Sequence, residues 1–419
     1  MTEQDVPAGR DALILSQWNT GGVRLAAEAL RAEGYRPVLV SALADDRNRD
    51  ACAAHLLIDW DAADPDAELG RLEAALTAAG VRPVAVVNMM EALIPWQVRL
   101  SRHFGLPGGE ASREVLLSKA ELRQAMAAAG LSKLPWLAGS AAALDPAAVD
   151  FFPAVAKPSR QSGASRHVRL VRDAASLRAH LAAIGDALGP GTEVIVEQFI
   201  DGPEFSVDGP VTDGRFHGLV VFEKTEHDEE LLHDAGLSVS PPQDPVVVSG
   251  AQRLTGAVSE MCRHIGFTSG WLHVEGRALP DGTAELVEIN PRPGGGTHVP
   301  AIRHLTGIDP VSALVRMALP EGWELPADGP QGPAQGRDLV GSVPVDARAV
   351  GRVSARADRD ELLAVPGVFD GYVVDGYRVE SLDAENFFAQ AVFTAADVAG
   401  LRAVADEVRR VVRFDVTDD

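Results

Sequence analysis

Short apolar runs alternate with amphipathic stretches over the first hundred residues. Ala12–Ser16, Pro37–Val40, His55–Ile58 and Val84–Asn88 have the length and content of buried strands. Between them, Val23–Glu33 and Asp66–Ala79 repeat apolar side chains at helical spacing, and Gly34 and Gly80 stop them. This alternation predicts a parallel sheet covered by helices, spanning residues 11–112. The first loop, Gln17–Gly22, sits where such sheets often hold ligands. It lacks the Gly-x-Gly-x-x-Gly dinucleotide fingerprint and reads as a tight turn.

The pattern then changes. Ser118–Ala129 reads as a helix ended by Gly130. Strands Ala154–Lys157 and Val168–Val171 flank a small-residue loop, and helix Ala174–Leu188 leads to strand Glu193–Phe199. Phe205–Pro210 and Phe216–Phe222 pair through a turn near Asp213-Gly214. Thr225–Pro242 is polar and irregular, and its His233 reads as a surface histidine. Helix Ala251–Ile265, a hairpin, and helices Val299–Leu305 and Pro310–Ala318 follow. The Pro- and Gly-rich residues 321–338 form a linker, and 339–419 a small β-rich unit with helix Ala395–Arg410 near its end.

The chain has 419 residues, enough for several domains, and no internal repeat. Lys+Arg of 38 against Asp+Glu of 60 leaves a formal charge of −22. With no basic block interleaved with aromatics, nucleic acid is excluded as a partner. Any bound anion must be held by local cations against the overall field. Cys52 and Cys262 are too few for a zinc site or a disulfide framework. The N-terminus lacks a secretory pattern, and no run of ~18 apolar residues occurs, so a cytoplasmic chain with no membrane contact is expected.

The hairpin carries the sharpest chemical signal. In Gly270–Arg292, Asp281-Gly282 reads as the turn. A turn centred there makes Glu275 face Glu288 and His273 face Asn290, all on one side of the sheet. Directly opposed carboxylates, with Cβ atoms roughly 4.5–5.5 Å apart, repel. A cation between them reverses that cost, and hard oxygen ligands suit Mg²⁺. The register is critical: a loop of odd length would slide one strand and undo the pair.

Three further segments add to it. Lys157 ends a strand before the loop Pro158–His167, whose backbone N–H groups can approach phosphate oxygens. Taken alone, it also reads as a stray lysine on a surface hairpin. Glu197 and Glu204 flank a Gly-Pro turn, where carboxylates can accept from adenine or ribose donors or can simply be solvated. Arg292 follows the carboxylates, and the glycines after it open a helix, a natural anion site.

In this order, the lysine loop, the acidic hinge and Glu…Glu-x-Asn-x-Arg resemble the ATP-grasp superfamily, closest to its carboxylate–amine and L-amino acid ligase branch. The resemblance implies a mixed α/β, α+β grasp fold. It comprises a Rossmann-like α/β domain over 1–112 and a two-part ATP-grasp domain over 113–320, with a lid at about 113–200 and a core at about 201–320. A C-terminal subdomain covers 339–419. It implies that Lys119 and Lys157 contact ATP phosphates and that Ser162, Gly163 and Ser165 fold over them. Glu197 and the backbone of Gln198 and Ile200 would meet adenine, and Glu204 ribose. Glu275, Glu288 and Asn290 would hold one or two Mg²⁺, with Mn²⁺ as a substitute. Arg292 would stabilise the phosphoryl transition state with Lys157. His273, Arg292, Gly294, Gly295 and Gly296 would lie beside the acceptor carboxylate. The family's phosphate loop commonly has glycine where His167 stands.

The implied activity is an ATP-dependent ligase that joins a small carboxylate to an amine through an acyl phosphate, releasing ADP and phosphate. The rival readings are a ligase or carboxylase of the same superfamily acting on a thiol, bicarbonate or a nucleotide precursor, and a non-catalytic ATP sensor. The expected partners are small molecules. A homodimer is the commonest assembly on general grounds.

Overall fold

The computed structural model describes residues 9–17, 22–160, 163–234, 236–327 and 338–417. Parts of the first loop and of the linker, and Ser162, therefore lie outside the described residues. β1 (Asp11–Ser16), β2 (Arg36–Ser41), β3 (Ala54–Leu57) and β4 (Pro83–Asn88) form a parallel sheet in the order β3-β2-β1-β4. Both faces are covered. Leu13 and Leu15 pack towards α2 (Pro65–Ala78) and α3 (Ile94–Phe104), while Ala12 and Ile14 pack towards α1 (Gly22–Ala32) and the distant helix Pro310–Ala318. Burial on two faces is why these strands read as unbroken apolar runs. The sequence pattern does not reveal α3. Its Pro95 falls in the first turn, where a missing N–H costs nothing.

After the short α4 (Ser112–Val115), α5 (Lys119–Ala128) starts at Ser118, whose hydroxyl accepts from the Glu121 N–H. An antiparallel sheet follows, with strands β5 (Trp136–Ser140), β6 (Ala154–Pro158), β7 (Arg169–Val171) and β8 (Glu193–Gln198) in the order β5-β8-β6-β7. Helix α6 (Ala174–Leu188) packs on it. The edge strand β5 is only half-buried and shows no alternation, so its pattern does not signal a strand.

The central part comprises β9 (Glu204–Thr212), β10 (Arg215–Phe216), β11 (Val220–Lys224), β12 (Ser238–Ser240), α7 (Pro245–Ile265), β13 (Gly270–Ala278), β14 (Ala284–Asn290), α8 (His298–Thr306) and α9 (Pro310–Ala318). Phe216–Phe222 is not one strand. It breaks into β10 and β11 where His217 and Leu219 donate to Pro210 and Asp208. The facing Gly209 leaves no room for a Cβ, which would lie 1.8 Å from the His217 carbonyl oxygen. The stretch Thr225–Pro242, expected to be irregular, contains β12, and His233 is buried rather than on the surface.

The C-terminal part holds β15 (Leu339–Asp346), β16 (Gly351–Ala355), α10 (Arg359–Leu363), β17 (Val368–Val373), β18 (Arg378–Val379), β19 (Phe387–Ala395), α11 (Val398–Val411) and β20 (Phe414–Thr417). Through β12 it joins the central strands in one sheet of order β14-β13-β9-β11-β12-β15-β19-β17, with β10 beside β9. Strands β18, β16 and β20 form a separate small sheet. No helix among the described residues is long and apolar enough to cross a membrane.

Candidate active site

The facing pair of carboxylates is present, but it arises differently from the sequence expectation. Near the turn, Ala278 pairs with Ala284 and Arg277 with Glu285, and Leu279 bonds to Thr283. The loop is therefore Pro280-Asp281-Gly282, with Gly282 in the left-handed region at φ +76°. This odd loop alone would turn Glu288 away. A bulge at Val287 shifts the ladder back by one residue, so Glu275 faces Glu288 and His273 faces Asn290. The bulge also frees main-chain acceptors: Lys157 Nζ donates to the Val287 carbonyl at 3.3 Å, and Arg123 Nη2 to the Leu286 carbonyl at 2.6 Å.

A cleft of about 360 Å³ lies over this ladder. Its lining brings together Lys157, Gly163, Ser165, Glu197, Gln198, Ile200, Glu204, His273, Glu275, Glu288, Asn290, Arg292, Gly295 and Gly296 from the residues singled out above. Lys119 reaches its edge through Glu288, at 3.4 Å. Gly294 lines a neighbouring cavity of about 900 Å³, which shares Arg292, Gly295, Gly296 and Tyr372 with the cleft.

Ion pairs organise the walls. Glu197 is 5% exposed and sits between Lys157 at 2.9 Å and Arg123 at 2.6 Å. Burial pushes its pKa up, but Lys157 and Arg123 hold the carboxyl below its usual range. Glu204 is not free at a hinge. It meets Lys224 at 2.6 Å and Arg277 at 2.9 Å. Arg277 also occupies the Ile200 carbonyl at 3.1 Å. Lys224 bridges Glu204, Asp234 at 2.8 Å and Glu275 at 3.2 Å. Burial opposes its charge, yet Asp234, Glu204 and Glu275 raise its pKa well above the ordinary lysine value. Arg292 makes no ion pair among the described residues, and its Nη1 donates only to the Pro293 carbonyl.

A second network positions the glycine loop. His273 donates from Nδ1 to Asp208 at 2.7 Å and from Nε2 to Glu275 at 3.1 Å. Burial alone would lower its pKa, but Asp208 and then Glu275 push the imidazole up to about 9. Asp208 also accepts from the Gly294 N–H at 2.9 Å. A Cβ at Gly294 would lie 2.8 Å from His273 Nδ1 and 2.6 Å from the His298 ring, so only glycine fits there.

The phosphate-loop segment is strained. Ala164, Ser165 and His167 all have positive φ, at 56°, 54° and 58°. His167, where the family resemblance led one to expect glycine, thus adopts a glycine-like backbone, at a cost of about 1–2 kcal/mol for such a residue. Ser165 Oγ donates to the Leu232 carbonyl at 2.8 Å, and His180 bonds to the His167 carbonyl at 3.0 Å, which holds the loop in place.

Sequence reasoning did not reach Glu91, Arg123, Asp208, Lys224, His227, Asp234, Arg277 or Glu385, all in or beside the cleft. None belongs to a motif spacing. The one available signal was the period-two continuation of β9 and β13, which puts Asp208 and Arg277 on the faces of Glu204 and Glu275.

Residues 150–301 match the family model described as the ATP-grasp domain. A Sinorhizobium fredii protein, y4rH, is 27% identical over 372 residues, covering 86% of this chain and 73% of that one. Carnosine synthase 1 of Gallus gallus is 28% identical over 366 residues, covering 80% of this chain but only 37% of the synthase. The crystal structure of an L-amino acid ligase from Bacillus licheniformis superposes with a TM-score of 0.80 at 18% identity, covering 98% of this chain and all of that one.

Proposed function

We propose, from the premise that this chain is an ATP-grasp protein, that it is a carboxylate–amine ligase acting on an amino acid or related small acid. The observation that carries the reading is the in-register pair Glu275–Glu288, beside Asn290 and followed by Arg292, which has no ion pair among the described residues, in a cleft edged by Lys119 and Lys157.

The residues present fit Mg²⁺. Two carboxylates and an amide share one face, and all offer hard oxygen ligands. Burial opposes ionisation of Glu275, but Lys224 and His273 hold its carboxyl well below the usual range, so it stays an anionic donor. Glu275, Glu288 and Asn290 would hold the ion, which when bound would offset charge on the phosphate oxygens.

The chain's own groups do the rest. Lys157 and Lys119 bind the phosphates, and the Gly163–Ser165 backbone folds over them. Glu197, Gln198 and Ile200 meet the adenine, and Glu204 the ribose. Arg292 and the N–H groups of Gly295 and Gly296, with Gly294 anchored on Asp208, orient the acceptor carboxylate in line with the γ-phosphoryl group. Oxide is a poor leaving group, so the carboxylate cannot condense with an amine directly. Phosphoryl transfer to it gives an acyl phosphate and ADP, and attack by the amine then gives the amide and phosphate. A closed lid keeps water from the acyl phosphate.

The test is incubation with ATP, Mg²⁺ and pooled amino acids, reading ADP and product mass. ADP release that depends on the amino acids, together with a condensed product, supports the reading. Absence of ADP across a broad acid and amine panel overturns it.

A further inference from the structure

The carboxylates that line the cleft differ in one respect. Glu197, Glu204, Asp234, Glu275 and Glu288 each pair with a lysine, arginine or histidine. Two lining acids, Glu91 and Glu385, have no ion pair among the described residues; Glu91 feels Arg292 and Lys119, whereas the charge felt most by Glu385, in the loop before β19, is that of Asp234. Its Oε1 accepts from the Asp234 N–H at 2.7 Å. Its own N–H donates to the Ala164 carbonyl of the phosphate loop at 3.0 Å. Two residues earlier, Asp383 pairs with Arg169. Glu385 is thus fixed between the phosphate loop and the Asp234–Lys224–Glu275 chain of ion pairs.

A carboxyl is a costly choice at this position. It is withdrawn from water, its neighbours include acids, and bound ATP would add negative charge. A glutamine would accept the same bond from Asp234. The acid therefore gives the folded chain nothing that a neutral side chain would not. It does suit a visiting cation, and the proposed reaction has one, because an amine reaches the site as an ammonium at neutral pH.

We propose that Glu385 binds the ammonium group of the acceptor amine and takes a proton from it before the nitrogen attacks. The inference rests on the ligase reading above. In this step an N–H bond of the ammonium breaks and an O–H bond forms on Glu385. The freed lone pair forms the C–N bond at the acyl carbon as the C–O bond to phosphate breaks. The second nitrogen proton leaves with the phosphate, and Glu385 returns its proton to solvent. Burial, and then the neighbouring Asp234, push the Glu385 carboxyl up to about 8, so its ionised form is a stronger base than an ordinary carboxylate and its population grows as pH approaches 8.

The test compares the wild type with Glu385→Gln, using ATP, Mg²⁺ and the standard L-amino acids, with and without hydroxylamine. Hydroxylamine is largely uncharged at neutral pH and traps an acyl phosphate as a hydroxamate without needing a base. In the variant, amide formation falls about a hundredfold or more, while hydroxamate formation stays within about twofold and the KM for ATP is unchanged. Retention of both products overturns the assignment, as does equal loss of both in a folded variant. If the wild type itself yields no hydroxamate, the ligase reading fails and takes this step with it. If Glu385→Gln does not fold, Glu385→Asp decides the matter: a raised KM for the amine with unchanged hydroxamate supports the role, and an unchanged KM overturns it.

Discussion

Replacing Arg123 by methionine isolates the buried ion cage beneath the cleft. Arg123 is 3% exposed. It donates to Glu197 at 2.6 Å, to the Leu286 carbonyl at 2.6 Å and to Ser132 at 3.3 Å. Methionine fills much of the volume but supplies no donor. Glu197 then keeps only Lys157 as a counterion, and the Leu286 carbonyl loses its bond. Removing one partner of a buried pair costs about 3–5 kcal/mol, and the orphaned carbonyl lies within that range rather than adding to it. For a domain of this size each kcal/mol shifts Tm by roughly 2–4 °C, so the transition should fall by about 10 °C. Scanning calorimetry reads this directly. The same change draws Lys157 more firmly to Glu197 and away from the phosphates, so the KM for ATP should rise. Adding Glu197→Gln removes the stranded charge and should recover part of the lost Tm. A single variant that melts within about 2 °C of the parent refutes the claim that Arg123 is the counterion holding Glu197.

Other expectations follow from the same geometry. Glu288→Ala should abolish ADP release with Tm changed by only a few degrees, because Glu288 is a partly exposed acid whose ion pair is with Lys119; full retained activity would remove it from the metal site. Asp208→Asn should lower kcat about a hundredfold with little change in the KM for ATP, because it loosens both His273 and the Gly294 N–H; steady-state kinetics with ATP and substrate varied separately checks this. Glu385 also makes stability depend on pH. Unfolded, it loses its proton near 4.5; folded, it keeps it up to about 8, because burial and then Asp234 oppose its charge, with Lys224 and Glu275 also facing it. The folded state therefore holds the extra proton, and its advantage is present below the unfolded value and lost as pH rises towards 8. The loss is on the order of 4–5 kcal/mol. The Tm difference between Glu385→Gln and the wild type should accordingly grow between pH 5 and pH 8, in favour of the variant; a constant difference would contradict it.

Much of this protein is legible in its amino-acid order. The doubly covered parallel sheet announces itself because strands buried on both faces must be apolar throughout. The hairpin Gly270–Arg292 announces itself because strand runs flank a turn. The lysine, the hinge acids and the Glu…Glu-x-Asn-x-Arg string lie within short segments, so their order along the chain carries the family resemblance that implies a phosphoryl-transfer site. The facing of Glu275 and Glu288 is a subtler case. A two-residue turn leads to that pairing, whereas the chain reaches it through a three-residue loop and a compensating bulge at Val287. No local pattern marks the bulge. It lets Leu286 enter the core while Glu288 faces the cleft, and main-chain acceptors at the bulge hold Lys157 and Arg123.

The composition and order of residues by themselves determined most of the element types, the family resemblance and many of the side chains that the cleft brings together. Tertiary structure alone decided which charges meet. Arg123 finds Glu197 from α5, Asp208 reaches both His273 and Gly294, β12 stitches the C-terminal strands to the central sheet, and Glu385 arrives from the far end of the chain. The physical reason is range. Periodicity and turn chemistry act over a few residues and leave a local trace. The energy of a buried charge depends instead on neighbours brought in by folding, and their distance along the chain leaves no mark on the pattern.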